Sequence, residues 1–212
     1  SLTVEQDGDV LGRAETGQQV RFTKNPDETY SGGSGVDSTL VKTASSYELT
    51  TREQTKYTFD LAGKLLSKVD RHGKGLTLEY DQGRLTTVTD SASRQFTLAY
   101  NPAGLVSRVA DSAGRDVEYT YDALGRLETV TDARGKVWTY AYDGSSSRLA
   151  SLRNPVGHFP YRNTYDPATG RVSSQLDALG HETTFAWNAQ TETATVTDPA
   201  GKQWVSDYEN RR

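Results

Sequence analysis

YDALGRLETVTDARGKVWTYA, residues 121–141, is the stretch whose reading decides the fold. It carries one local pattern twice, as Asp122-Ala123-Leu124-Gly125 and as Asp132-Ala133-Arg134-Gly135. An Asp or Asn opening a type I turn hydrogen-bonds the backbone two residues on, and a Gly at the fourth position takes the left-handed conformation that completes a hairpin. Between and after these turns the chain alternates. Trp138, Tyr140 and Tyr142 fall on one side and their neighbours on the other, a period of two that marks a β-strand. Two turns of about four residues in such a unit leave two strands of about six, a common length.

The unit recurs. Its aromatic–acid or aromatic–Asn step appears at Phe59-Asp60, Tyr80-Asp81, Tyr100-Asn101, Tyr121-Asp122, Tyr142-Asp143, Tyr165-Asp166, Trp187-Asn188 and Tyr208-Glu209, at spacings of 21, 20, 21, 21, 23, 22 and 21 residues. The turn recurs with it, as DLAG, DRHG, NPAG, DSAG, DALG, DARG, NPVG, DALG and DPAG. Pro102, Pro155 and Pro199 preset φ at the second turn position. Alternating aromatics precede the other steps too: Phe96, Leu98 and Tyr100; Val117, Tyr119 and Tyr121; Phe159, Tyr161 and Tyr165; Phe185 and Trp187. Two strands per unit return the chain to its starting direction, so the expectation is an all-β antiparallel meander of hairpins with no long helix. Some fourteen strands at about 4.8 Å spacing are too many to lie flat under normal strand twist, which predicts a curved or spiralling sheet.

The organisation expected is a repeat array over 57–212, about seven units, preceded by a non-repeat β lead-in over 1–56. Within the lead-in, GQQVRFTKNPDETY (17–30) and SSYELTTREQTKYTFD (45–60) read as strand–turn–strand without the strict period, and SGGSG (31–35) as a flexible loop. Terminal units of repeat arrays are often atypical, so this region is expected to cap or extend the sheet.

Composition narrows the function. The net charge of -4 gives no basic footprint for nucleic acid. No apolar run is long enough to span a bilayer as a helix, and SLTVEQDGDVLGR does not read as a signal peptide. With no methionine, Ser1 reads as the start of an excised piece; with no cysteine, disulfides and thiolate chemistry are excluded. The apolar share of 34% is low for a compact core, and twelve tyrosines with 19 glycines suit short strands and tight turns instead.

Laid out this way, residues 59–209 resemble the Rhs/YD-repeat family, whose pattern is an aromatic–Asp pair, a turn glycine, Arg/Lys-Leu, a valine-like residue, then Asp and a second turn. The match is best from Tyr121 to Tyr142, and VRFTKNPDETY with YELTTREQTKYTFD resembles the segment before the repeats in bacterial Rhs proteins. The resemblance implies a hollow β-shell. In bacterial polymorphic toxins and insecticidal toxin complexes it encloses a C-terminal toxic domain, and teneurins use a related barrel in adhesion. It implies secretion or surface display, with other parts of the same parent protein, the shell and its toxin cargo, as partners. The family's self-cleaving plug has an Asp-Pro motif that Asp166-Pro167 and Asp198-Pro199 echo; both lie in register with the repeat and read as turns.

Chemistry-bearing residues favour structure. Most aspartates open turns, where backbone capping explains them, so no catalytic residue is assigned and no enzyme expected. His72, His158 and His181 each adjoin a turn glycine step without an HxH or HExxH partner, so neither metal site nor cofactor is assigned. Repeated Asp-x-x-Gly matches no calcium-loop pattern. The aromatic stripe is the real contest: stacked sugars, which makes a carbohydrate-binding or adhesive module the alternative function, or the apolar area the sheet itself needs. Recurrence in every unit favours the latter. The isolated piece, with open edge strands and an aromatic face, is expected to self-associate unless residues 1–56 fold over it.

Overall fold

The structure, a computed structural model, describes residues 1–14 and 16–207; the Tyr208-Glu209 step lies outside the described residues. Among the described residues there is no helix, only strands, turns and bends. By its contacts the chain divides into two compact units, Ser1–Ala99 with Val109–Arg115, and Tyr100–Arg108 with the residues from Asp116 onward.

The first unit holds two sheets. β1 (Leu2–Val4), β2 (Val10–Arg13), β3 (Gln19–Lys24) and β4 (Tyr30–Gly32) form a four-stranded antiparallel sheet in chain order. A second meander follows through β5 (Thr39–Lys42), β6 (Ser46–Thr50), β7 (Lys56–Asp60), β8 (Leu65–Val69), β9 (Gly75–Asp81), β10 (Arg84–Asp90) and β11 (Gln95–Tyr100), each paired with the next. β1–β4 pack on the meander, which begins with β5 and β6. Leu2, Val10 and Phe22 from one sheet meet Leu40, Tyr47 and Phe59 from the other, all nearly sealed from solvent. Each such side chain stabilises by about 1.5–3 kcal/mol relative to exposure. The Leu2 amide also donates to the Gly63 carbonyl at 3.1 Å, pinning β1 to the turn between β7 and β8.

The division between units runs through β12 (Val106–Asp111). The second unit continues as β13 (Asp116–Tyr121), β14 (Leu127–Thr131), β15 (Val137–Tyr142), β16 (Leu149–Arg153), β17 (Tyr161–Tyr165), β18 (Val172–Asp177), β19 (Glu182–Asn188), β20 (Thr193–Thr197) and β21 (Gln203–Asp207). Every pair from β13–β14 to β20–β21 is antiparallel and sequential. Strand order thus follows chain order, as a meander requires and a rearranged sandwich would not.

The turns are the predicted ones with an added bond. Gly125 and Gly135 have φ of 76° and 71°, the left-handed region that only glycine enters cheaply. Their amides donate to the carbonyls of Asp122 and Asp132 at 2.9 and 2.8 Å. The carboxylate of Asp122 accepts from the amide of Leu124, two residues on, at 2.9 Å, and also from Arg126, four on, at 3.0 Å. One exception is instructive. After Tyr80 the chain turns through Gln82 and Gly83 alone, with φ of 47° and 83°, the doubly left-handed type I′ geometry. That shorter turn accounts for the single spacing of 20 residues.

Strict alternation breaks at one recurrent place. A bulge sits at Thr58/Phe59, Thr120/Tyr121, Ala141/Tyr142 and Thr164/Tyr165, immediately at the aromatic of the aromatic–Asp step. The extra residue falls on the strand after the turn, at Leu66, Glu128, Ala150 and Ser173, and bends that strand as it leaves the turn. Phe159, grouped with Tyr161 and Tyr165 by alternation, lies in the connection before β17 rather than in a strand.

Candidate functional site

The aromatic face is where sequence reasoning left a choice between binding and structure. The registers place Tyr119 opposite Val130 and Val130 opposite Trp138, then Tyr140 opposite Leu152 and Leu152 opposite Tyr161. These rings and aliphatic chains form a half-buried layer rather than a set of projecting platforms.

Their polar tips are engaged. The hydroxyl of Tyr142 donates to the Leu127 carbonyl at 2.9 Å, fifteen residues back. The same bond recurs from Tyr80 to Leu65 (2.8 Å), Tyr121 to Val106 (2.7 Å) and Tyr165 to Leu149 (2.7 Å), and Trp187 reproduces it through Nε1 to the Val172 carbonyl at 3.1 Å. A cation covers many of the same rings from the turn one unit earlier. Arg126 lies 4.5 Å from the Tyr142 ring centroid, Arg148 5.2 Å from Tyr165, Arg171 4.7 Å from Trp187 and Lys64 5.6 Å from Tyr80.

The spacing of the repeat now has a physical reading. At Gly63-Lys64-Leu65, Gly125-Arg126-Leu127 and Gly170-Arg171-Val172 the turn glycine reverses the chain, the next residue lays its cation on the following unit's ring, and the aliphatic residue after it presents the carbonyl that receives the ring's polar tip. The units closed by Tyr80, Tyr121, Tyr142, Tyr165 and Trp187 are thereby latched to their predecessors. Arg126 also donates to the carbonyls of Gly144 and Ser146, so one side chain links its own turn at Asp122 to the Tyr142 ring and the turn that follows it. Sequence alternation located the rings but held no signal for this latch, because its acceptor is a backbone atom.

The turn carboxylates are engaged likewise. Asp70, Asp122, Asp132 and Asp177 are held below the usual carboxylate range chiefly by backbone amides donating to them. At Asp90 and Asp111 the guanidiniums of Arg94 and Arg115 contribute most, with backbone amides next. A general acid requires the opposite displacement. These groups are permanent acceptors, suited to holding turns.

Two other features lie in the first unit. Glu5, Asp7 and Asp9 bring carboxylate oxygens within 4.8 Å of one another, a grouping that sequence reading did not single out. Arg21 already occupies it, at 2.5 Å from Glu5, 3.2 Å from Asp7 and 2.9 Å from Asp9, and the Lys24 amide donates to Asp9 at 2.8 Å. The arrangement is a clasp between the β1–β2 turn and β3, with one guanidinium shared by three carboxylates. A cavity of ≈ 380 Å³ is floored by Leu2, Val20, Phe22, Leu49, Tyr57 and Phe59, and its lining includes no carboxylate or imidazole to act as acid or base. Of the three histidines, His181 pairs with Asp177 at 3.0 Å and His72 accepts from Arg71 at 2.9 Å, and the structure does not bring the three together as a group.

Latched hairpins in strict succession define a tandem β-hairpin repeat protein. The model of the RHS repeat matches residues 59–95, 100–137, 121–158 and 165–203, more than half of the sequence, and the chain belongs to that family. Among solved structures it is similar to TcdB2-TccC3 without its hypervariable C-terminal region, at 18% identity and a TM-score of 0.55 over 92% of this chain. It is similar also to a Photorhabdus luminescens Tc holotoxin pore, at 18% identity and a TM-score of 0.54 over 92% of this chain. The chain spans 12% of the length of each, so these likenesses establish the fold of a segment. No curated protein matches the chain. No helix among the described residues is long and apolar enough to cross a membrane.

Proposed function

We propose that this chain is a structural segment of an Rhs-type β-shell within a larger exported bacterial protein, and that the shell encloses a toxin or effector carried by the same polypeptide. The observation that carries the reading is the recurring latch: hydroxyl or indole to the carbonyl of the preceding unit, from Tyr80 through Trp187. Rings whose polar tips are bonded and whose faces are covered by cations are committed to holding a continuous wall. A sugar-stacking surface needs a few free faces, whereas a wall needs every unit joined to the last. The lowered turn carboxylates support a scaffold rather than a catalyst.

The test is protection. The complete parent polypeptide, expressed with the segment that follows its repeats, is exposed to a nonspecific protease. The expected result is a resistant downstream segment in the unmodified protein and faster cleavage when Tyr121 and Tyr142 are both changed to Phe. Cleavage of that segment at the rate of the same segment expressed alone would refute enclosure.

A further inference from the structure

The hairpin that departs from the repeat marks a site. In every other second turn from Asp70 to Asp198 the opening residue is Asp: Asp70, Asp90, Asp111, Asp132, Asp177 and Asp198. Between β16 and β17 it is Asn154, and the connection 154–160 is longer than its counterpart 132–136. Asn154 keeps the turn bonds, accepting from the amides of Val156 at 3.2 Å and His158 at 2.9 Å, but brings no charge.

Two arginines appear where the other units have none. Arg153 precedes the turn, where the other units carry Val69, Thr89, Ala110, Thr131, Leu176 and Thr197. Arg162 stands three residues before the aromatic step, at a place elsewhere filled by Lys56, Thr77, Thr97, Glu118, Thr139, Thr184 and Val205. The register puts Arg153 opposite Thr139 and Arg162 opposite Ser151, on the hydroxyl-bearing face away from the tyrosines. Being diagonal neighbours on adjacent antiparallel strands, their Cα atoms are roughly 7–8 Å apart, within reach of one shared ligand for side chains of this length. The Arg153 guanidinium extends along the turn, where a side chain built on Gly157 would meet it at 3.3 Å, and that of Arg162 lies 5.5 Å from the Phe159 ring. Both arginines are exposed, and neither has a carboxylate partner among the described residues. In the register the acid across from Arg162 is Glu182, two strands away through Leu176, about 9–10 Å.

Compare the regular turns. Arg94 and Arg115 are each neutralised by their own turn aspartate, at 2.6 and 2.5 Å. Here Asn154 replaces the aspartate, His158 stands at the place of Arg94 and Arg115, and Arg153 and Arg162 add two positive charges that no turn carboxylate offsets. Paired guanidiniums with adjacent hydroxyls match a doubly charged oxyanion, each fork donating two parallel bonds. We propose that Arg153 and Arg162, flanked by Ser151 and Thr139, form a binding site for a dianionic oxyanion, a phosphate or sulfate group, free or borne as an ester.

The test uses the whole chain, with inorganic phosphate and inorganic sulfate as probes and acetate as the monoanionic comparison, followed by amide shifts at constant ionic strength. Saturable shifts confined to residues near 139, 151–162 and 176 are expected for phosphate and sulfate, and weak unsaturable ones for acetate. Asn154→Asp installs the residue found in the regular turns, so it folds, and it should weaken binding at least fivefold. Arg153→Gln with Arg162→Gln should weaken it at least tenfold, and Arg134→Gln, in a regular turn, should leave it unchanged. Shifts that do not saturate, or that survive both Asn154→Asp and the double variant, would overturn the site. Acetate binding as tightly as phosphate would overturn the assignment to a dianion.

Discussion

Gly63 and Gly135 open the left-handed region alike, with φ of 84° and 71°, yet alanine should cost very different amounts at the two. At Gly135 a Cβ would meet nothing within 4 Å, so the cost is the left-handed conformation alone, about 1–2 kcal/mol. At Gly63 the same Cβ would lie 2.0 Å from the Leu2 carbonyl oxygen, a backbone atom that must move. Moving it breaks the bond from the Leu2 amide to the Gly63 carbonyl, worth about 1 kcal/mol, and lifts Leu2 from a site where it is 4% exposed, worth about 2 kcal/mol more. Gly63→Ala should therefore cost about 4–5 kcal/mol against about 1–2 for Gly135→Ala. Guanidinium melts would measure the difference, and amide exchange would locate it. Loss of protection should centre on Leu2, Val10 and Phe22 in the first variant and leave them untouched in the second. Equal destabilisation by the two substitutions, or full protection of Leu2 in Gly63→Ala, would refute the claim that this close approach holds the first sheet in place.

Three further outcomes follow. Tyr142→Phe keeps the ring under Arg126 but strands the Leu127 carbonyl, so it should cost about 1–2 kcal/mol and lower Tm by roughly 2–8 °C, whereas Tyr119→Phe, outside the aromatic–Asp step, should cost less. Asp70, Asp90, Asp111, Asp122, Asp132 and Asp177 have folded pKa values below their unfolded value of about 3.9, so their stabilisation is complete above that pH and drains as pH falls through the folded values; Tm should be level from about pH 5 upward and fall below about pH 4, less steeply in Asp122→Asn. Light scattering across a concentration series should show self-association of the isolated chain, through open strand edges or the aromatic face, and a strictly monomeric species would favour a face that tolerates water.

How much of this was legible in the sequence depends on the range of each interaction. Turn chemistry is local, so Asp122 and Gly125 announced both the hairpin and the sign of φ. Period-two alternation is equally local and placed Tyr119 and Trp138 on one face, but it could not foresee the bulge at Glu128, on the strand facing Tyr121. The latch was hidden because a backbone carbonyl leaves no mark in a sequence; only its partners Arg126 and Tyr142 do, as part of a pattern. The first sheet was least legible. Its strands pack through Val10 and Phe22, single buried residues with no repeat to amplify them, and the clasp of Arg21 on Glu5, Asp7 and Asp9 joins residues that no motif connects.

The two units reach stability by different routes, and the contrast bears on the role proposed. In the first, six large side chains are sealed between sheets, the ordinary means by which a domain offsets chain entropy. In the second, Ala194 is the one buried hydrophobic residue among those described. A single layer of strands has no opposing layer to bury a face against, so its rings must be covered from within the layer. Arg126, Arg148 and Arg171 do this by lying on the next unit's aromatic while donating at the turns or pairing with them. Such a latch acts only between consecutive units. It therefore scales with the number of repeats and demands no fixed shape, which suits a wall that must extend around a volume it does not fill.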